Sequence, residues 1–153
     1  KPKAIVSYAT DQRAGDAEGT GPGMFYALWV MRLLHACDIS CFSGLCVGAG
    51  VDWKVFLDKL GGRFARCKRL WVVQTDALYN SRPCLHEIYT AVSHKLRILP
   101  VLFEADAVSA PKWPKLKSND VEGKEWLATV KKGPNVGRSF WICSLPPARS
   151  ARS

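Results

Sequence analysis

The 153-residue sequence has no apolar run long enough to cross a bilayer. A membrane helix needs about 20 apolar residues. The longest stretch here, Met24 to Leu34, is interrupted by Arg32. No membrane partner is therefore expected. The opening residues do not read as a secretory signal, and a chain that begins at Lys1 is expected to be a piece of a longer one. Cys-x-x-Cys pairs are also missing. The six cysteines (Cys37, Cys41, Cys46, Cys67, Cys84, Cys143) are scattered, and no histidine stands at finger spacing. That argues against a zinc site and against a disulfide frame. Reduced, partly buried thiols of a cytoplasmic protein are the expectation. The glycine-bearing loop from Ser43 to Asp52 lacks the Lys-Ser/Thr ending of a phosphate-binding P-loop, so it reads as a flexible connection.

Acidic residues are scarce. Asp and Glu total 13 against 22 Lys and Arg, a net charge of +9. The basic residues are spread over several clusters, among them Arg63 to Arg69, Lys112 to Lys117, and the Arg149 and Arg152 tail. A solvated basic surface accounts for them. A nucleic-acid partner is compatible with the charge, but no recognition motif supports one.

What is present is an alternation of strands and helices. The run from Lys68 to Thr75 is apolar and β-branched, as a strand buried on both faces should be. Asp76, Asn80, Ser81 and Pro83 then supply turn chemistry. Ser81 is a good N-cap and Pro83 is tolerated in a first helical turn, so a helix is predicted over Ser81 to His94. Around this centre the sequence predicts a first strand at Ala4 to Tyr8 and a long loop from Thr10 to Gly23. A helix follows from Met24 to Cys37 with Phe25, Leu28, Trp29, Met31 and Leu34 on its apolar face, and Trp29 is read as core packing. A second strand falls at Asp38 to Phe42, and a helix beginning near Asp52 presents Trp53, Val55 and Phe56. A fourth strand spans Arg97 to Phe103, where Pro100 implies an edge or a bulge. A short helix at Val121 to Val130 and a last strand at Ser139 to Cys143 complete the pattern.

That order predicts one α/β domain over residues 1–143, followed by a disordered basic tail over 144–153. The sheet is expected to be open, mostly parallel and five-stranded, flavodoxin-like, with helices on both faces. In such sheets ligands bind beyond the carboxyl ends of the strands. Ser7, Tyr8, Thr75 and Asp76 fall there, with Glu87 above them. Taken alone, Glu87 reads as a solvated acid complementing a helix dipole more readily than as a functional one. Cys84 fits packing better than nucleophilic chemistry, and His86 points away from its neighbour Glu87 because adjacent helical residues diverge. His35 and His94 read as surface or packing residues. A phosphate-accepting receiver shares the fold order, but Ser7-Tyr8 and Thr75 occupy the places where it needs acids.

The run Tyr79-Asn-Ser-Arg-Pro-Cys-Leu-His-Glu87 resembles the Tyr-x-x-Ser-x-Trp-Cys-x-x-Glu signature of Toll/interleukin receptor (TIR) domains, with the tyrosine one residue closer and Pro83 in place of the tryptophan. Val6-Ser7-Tyr8 followed by Asp11 resembles the opening strand of the family. The glycine loop before Trp53 resembles its loop between second strand and second helix. Ile98-Leu-Pro-Val-Leu102 resembles its fourth strand. Trp113-Pro114 resembles a pair found in the enzymatic branch. The resemblance runs in consistent order from about Lys3 to Phe103. The loop from Ser43 to Asp52 lacks the usual acidic residue and proline, so it does not indicate a partner.

Many TIR domains hydrolyse or cyclise NAD+, and the glutamate matching Glu87 is their catalytic residue. The resemblance therefore implies an NAD+ glycohydrolase, or a cyclase, in signalling or innate immunity. NAD+ would be a substrate rather than a cofactor, no metal would be needed, and activity would depend on homotypic self-association. Ser7, Tyr8, Trp53, Ser81 and Trp113 would line the substrate site, with Tyr8 and Trp113 offering rings for stacking. The alternative is a non-catalytic adaptor that uses the same fold for TIR–TIR contact.

Overall fold

A computed structural model describes residues 2–12, 14–47, 67–75, 77–103 and 115–132. Four strands form one sheet: β1 (Ala4–Ser7), β2 (Cys41–Ser43), β3 (Arg69–Val73) and β4 (Arg97–Val101). Among the described residues three α-helices accompany them: α1 (Pro22–Ala36), α2 (Arg82–Ser93) and α3 (Val121–Lys132). The strand order is β2-β1-β3-β4, and every neighbouring pair is parallel. This is the expected open α/β sheet, with the first and third strands adjacent at its centre. The expected fifth strand, at Ser139 to Cys143, lies outside the described residues, as do the helix after Asp52, the Trp113-Pro114 pair and the basic tail.

The register fixes what shares a face. Ala4 aligns with Cys41 and Arg69, and Ser7 with Val72. All of β1 is buried, because strands lie on both sides of it and helices above and below. Alternation then sends Ile5, Leu70 and Val72 into one core, where they meet Leu85 and Ile88 of α2 and Val130 of α3. Ala4, Val6 and Val73 enter the other, against Ala27, Val30 and Leu34 of α1. Pro100 lies in β4, opposite Val72. Among the described residues β4 is an edge strand, which is where a missing N–H does least harm.

The helix α1 corrects one expectation. Trp29 does not pack in the core; it is 60% exposed, with Phe25 at 55% and Leu33 at 58%. The buried stripe is Gly23, Ala27, Val30 and Leu34, at helical spacing of four, three and four. The small Ala27 lets the helix approach the sheet and Gly23 lets it approach the backbone of Ala9 and Thr10, and the bulky residues are left outside. Of the expected apolar face only Leu34 is fully buried, while Met31 packs partly against the core. The helix also begins earlier than expected, at Pro22, where proline suits a first turn.

Both α1 and α2 close with paired backbone bonds typical of a left-handed cap. Ile39 N–H donates to the Leu34 carbonyl and Asp38 N–H to His35; Leu96 N–H donates to Ala91 and Lys95 N–H to Val92. Asp38 and Lys95 occupy the positive-φ position, at 55° and 56°. These turns deliver the chain to the amino ends of β2 and β4.

Candidate functional site at the carboxyl edge of the sheet

The second half of the Lys68 to Glu87 stretch folds as its residues dictate. After β3, Leu78–Asn80 makes one tight 3-10 turn. Ser81 then caps α2: its Oγ accepts from Cys84 N–H at 3.4 Å, and Pro83 occupies the first turn. The inward stripe of α2 is Cys84, Leu85, Ile88 and Ala91. Glu87 is three residues after Cys84 and four before Ala91, so helical geometry turns it inward with them.

Glu87 is accordingly buried, only 3% exposed. It is not the solvated dipole-complementing acid that its position also allowed. Its partner comes from the far side of the chain. The Ser7 hydroxyl, at the carboxyl end of β1, donates to the Glu87 carboxylate. Burial raises the Glu87 pKa to about 7, and the Ser7 hydrogen bond restrains the rise. A carboxyl group poised near neutrality at a ligand-accepting sheet edge is the kind of group that active sites contain.

Its surroundings are apolar, aromatic and thiol. The Cys84 thiol donates to the Tyr8 carbonyl at 3.0 Å. Burial first, and the neighbouring Glu87 charge second, push the Cys84 pKa up to about 12. The thiolate is therefore inaccessible at neutral pH, and Cys84 is a packing residue as the sequence indicated. The Tyr8 phenol is half-buried and its pKa is raised by burial, then by Cys84, Glu87 and Cys46. Tyr8 thus stands within electrostatic reach of the carboxylate.

The structure brings together Ser7, Tyr8 and Glu87, and places Ser81 at the head of the helix that carries Glu87. Trp53 and Trp113 lie outside the described residues. Ser43 was not singled out as a site residue, yet β2 and β1 finish in the hydroxyls of Ser43 and Ser7, and Thr75 follows the end of β3 by two residues. The Ser43 and Thr75 hydroxyls are buried without a hydrogen-bond partner among the described residues. A serine closing an otherwise apolar strand was the signal available for Ser43.

On the outer side of α2, His86 stacks on Trp126 of α3, with ring centroids 4.1 Å apart and planes 5° from parallel. Arg82 lies over the same indole and pairs with Asp120 at 3.1 Å and Glu122 at 3.5 Å. His86 is thus engaged away from Glu87, as helical geometry required. Among the described residues no cluster of His, Cys, Asp or Glu could hold a metal ion, and no helix is long and apolar enough to cross a membrane.

No family model and no curated protein matches the sequence. Solved structures do. The TIR domains in the structure of the activated Roq1 resistosome, which directly recognises the pathogen effector XopQ, superpose with a TM-score of 0.58 at 17% identity. The alignment covers 91% of this chain and 86% of that one. At that identity the likeness bears on architecture. The chain has the fold of a TIR domain.

Proposed function

We propose that the chain is an NAD+ glycohydrolase in which Glu87 is the catalytic residue. The observation that carries this reading is a buried carboxylate with a pKa near 7 at the carboxyl edge of the sheet, held by a hydroxyl from the central strand. In NAD+ the nicotinamide is a pyridinium cation. When the glycosidic C–N bond breaks, its electron pair goes to the ring nitrogen and nicotinamide leaves neutral. That departure requires no general acid, unlike ordinary glycoside cleavage with its two carboxyl groups. The ribose is left as an oxocarbenium-like cation, and the ionised Glu87 stabilises it electrostatically. Water then adds at the same carbon and loses a proton, giving ADP-ribose; attack by the adenine nitrogen of the same molecule would give the cyclic product instead. Ser7 orients the carboxylate, while Tyr8 and Trp113 are the stacking candidates for the planar rings. Ser81 and Trp53 complete the proposed substrate set.

The burial of Glu87 means that substrate must displace whatever covers it. Self-association is the proposed trigger, and α1 offers the surface. Phe25, Trp29 and Leu33 project from one side of that helix, in a protein whose other large apolar side chains are mostly covered among the described residues.

The same exposed side of α1, together with Pro83 in place of an aromatic wall, favours the second reading: an adaptor that associates through TIR–TIR contact without turnover. Incubating the purified chain with NAD+ at several protein concentrations and measuring free nicotinamide separates the two. Release that rises more steeply than protein concentration and vanishes in Glu87→Ala supports the enzyme. Release unchanged in that variant removes Glu87 from the role. No release at any concentration where the chain is demonstrably assembled leaves the adaptor.

A further inference from the structure

The helix that carries Glu87 is gripped from outside as well as from inside. Arg82, His86 and Tyr89 follow one another at spacings of four and three, so they form one stripe on α2. All three engage α3. Trp126 receives the first two: the Arg82 guanidinium stands 5.2 Å from its ring centroid, and the His86 ring stacks on it at 4.1 Å. The Tyr89 hydroxyl donates to Glu125 at 3.4 Å. Asp120 ties the two helix starts together. Its Oδ1 accepts from Gly123 N–H at 2.9 Å, capping α3, and the same oxygen meets Arg82 at 3.1 Å. A Cβ on Gly123 would stand 2.5 Å from that carboxylate, so the glycine keeps its place open.

Within α2 the first turn has little of its own to hold it. The Ser81 cap bond is long, at 3.4 Å, Pro83 has no N–H, and no acid lies in the turn. Arg82 is half-exposed, so its ion pairs with Asp120 and Glu122 add little by themselves. The indole is partly buried and packs against the core that holds Leu85 and Ile88, which makes it the strongest part of the outer grip. We infer that Trp126 is a positioning residue for Glu87: by holding Arg82 and His86 it fixes how closely α2 presses Glu87 onto Ser7, and it resists the outward swing of α2 that would uncover the carboxylate. The inference rests on the reading of Glu87 as the catalyst and deepens it; Trp126 acts through α2 and not on substrate. The carboxylate faces Ser7 and Tyr8 from β1 and Cys84 from its own helix. Neither the phenol nor the thiol ionises near neutrality, so burial is what the grip controls.

The first two readouts need no turnover. The full chain and its Trp126→Ala and Trp126→Phe variants are alkylated with iodoacetamide at pH 8, and labelling of Cys84 and Cys67 is followed by peptide mass mapping. Cys67 is also buried, but it precedes β3, where its thiol donates to the Pro2 carbonyl at 3.1 Å. Trp126→Ala should label Cys84 roughly two- to tenfold faster, as loss of one aromatic contact implies, with Cys67 unchanged. Trp126→Phe keeps a ring for His86 and should restore most of the parent rate. Carbon-13 spectra of the glutamate carboxyl groups, with Glu87→Gln identifying the resonance, follow the Glu87 titration. Its midpoint should fall from about 7 toward the ordinary carboxylate range in Trp126→Ala. The pH–rate midpoint of nicotinamide release should fall with it. His86→Ala, which breaks the stack without opening the core, replaces Trp126→Ala should that variant unfold. Cys84 labelled no faster, Cys84 and Cys67 accelerated alike, or a Glu87 titration unmoved in a folded variant would reduce Trp126 to a packing residue and overturn the inference. A moved titration with an unmoved release profile would uphold the grip and remove Glu87 from catalysis.

Discussion

The hydroxyl of Ser7 and the carboxylate of Glu87, 80 residues apart in sequence, meet in a buried hydrogen bond that joins the central strand to α2. It sets the charge state of the proposed catalyst. Burial drives the Glu87 pKa up to about 7, and the Ser7 hydroxyl pulls it down. If the ionised form stabilises the ribosyl cation, nicotinamide release should rise about tenfold per pH unit below neutrality and level off above pH 7. Ser7→Ala removes the stabilising donor. Its midpoint should move to higher pH, with activity low at pH 7 and recovered as the pH is raised further. A pH–rate profile of the two proteins decides this, and coincident midpoints would show that Ser7 does not tune the carboxylate.

The same pKa has a consequence for stability. In the unfolded chain Glu87 titrates near 4.5, in the folded one near 7. Between these values the folded state holds the proton more tightly, so stability falls as pH rises through this window. Below about pH 4.5 the cost is absent; above about pH 7 it is complete, on the order of 3 kcal/mol. Glu87→Gln keeps the shape and an acceptor for Ser7 but cannot ionise. It should be more stable than the parent at pH 8 and indistinguishable near pH 4.5. Urea denaturation at both values measures the difference.

Much of this architecture was legible in the residues. The β-branched run of β3, the Ser81 cap with Pro83 behind it, and the proline of β4 each carry a local physical reason for their conformation. The inward turn of Glu87 was less so, because an acid early in a helix has a satisfactory life in solvent. Its spacing from Cys84 and Ala91 was the available clue. The face of α1 was misread for a different reason. Bulk does not mark burial there: Ala27 packs into the core under the sheet and Gly23 lies against the loop after β1, where close approach, and not side-chain volume, fills the space. Hydropathy does not register a glycine that is needed for contact. Nor does sequence spacing show that Ser7 and Glu87 meet, since only the parallel order of β1 and β3 brings α2 over the end of β1.

The thiols divide by environment. Cys84 and Cys67 are buried, and burial raises both pKa values; Cys37 and Cys46 are exposed. Iodoacetamide at pH 8 should therefore label Cys37 and Cys46 in the native protein and spare Cys67 and Cys84 until denaturant is added. Peptide mass mapping reads the result. Rapid native labelling of Cys84 would mean that α2 opens readily from β1, and would undermine the account of Glu87 as a shielded acid.

The outward side of α1 makes a prediction about assembly. Phe25, Trp29 and Leu33 are each more than half exposed, yet the helix is anchored by residues on its other side. Trp29→Ser should leave folding intact and lower self-association. Sedimentation velocity across a concentration series would show it as a weaker dependence of mass on concentration. Because the buried stripe is untouched, the thermal midpoint should shift little. A large fall in that midpoint would instead assign Trp29 to the fold.

The closest approach between α1 and the loop after β1 depends on glycine. A Cβ built on Gly23 would stand 1.8 Å from the Ala9 carbonyl oxygen, and one on Gly21 would stand 2.2 Å from that of Thr10. Both obstacles are backbone atoms, so no side-chain rotation relieves them. Gly23 N–H also donates to the Thr10 carbonyl at 3.1 Å, which ties the helix start to this loop. Gly23→Ala must push the loop or the helix outward, at about 1–3 kcal/mol by analogy with overpacked cores. Ala9 directly follows Tyr8, and the Tyr8 carbonyl accepts the Cys84 thiol. The displacement should therefore reach the site, lowering nicotinamide release even at temperatures where the variant is fully folded. Gly15, which has open space around it, supplies the control for backbone effects: at its φ of +94° alanine is strained locally but touches nothing nearby. Release unaffected in folded Gly23→Ala would mean that the loop carrying Tyr8 is not part of the catalytic surface.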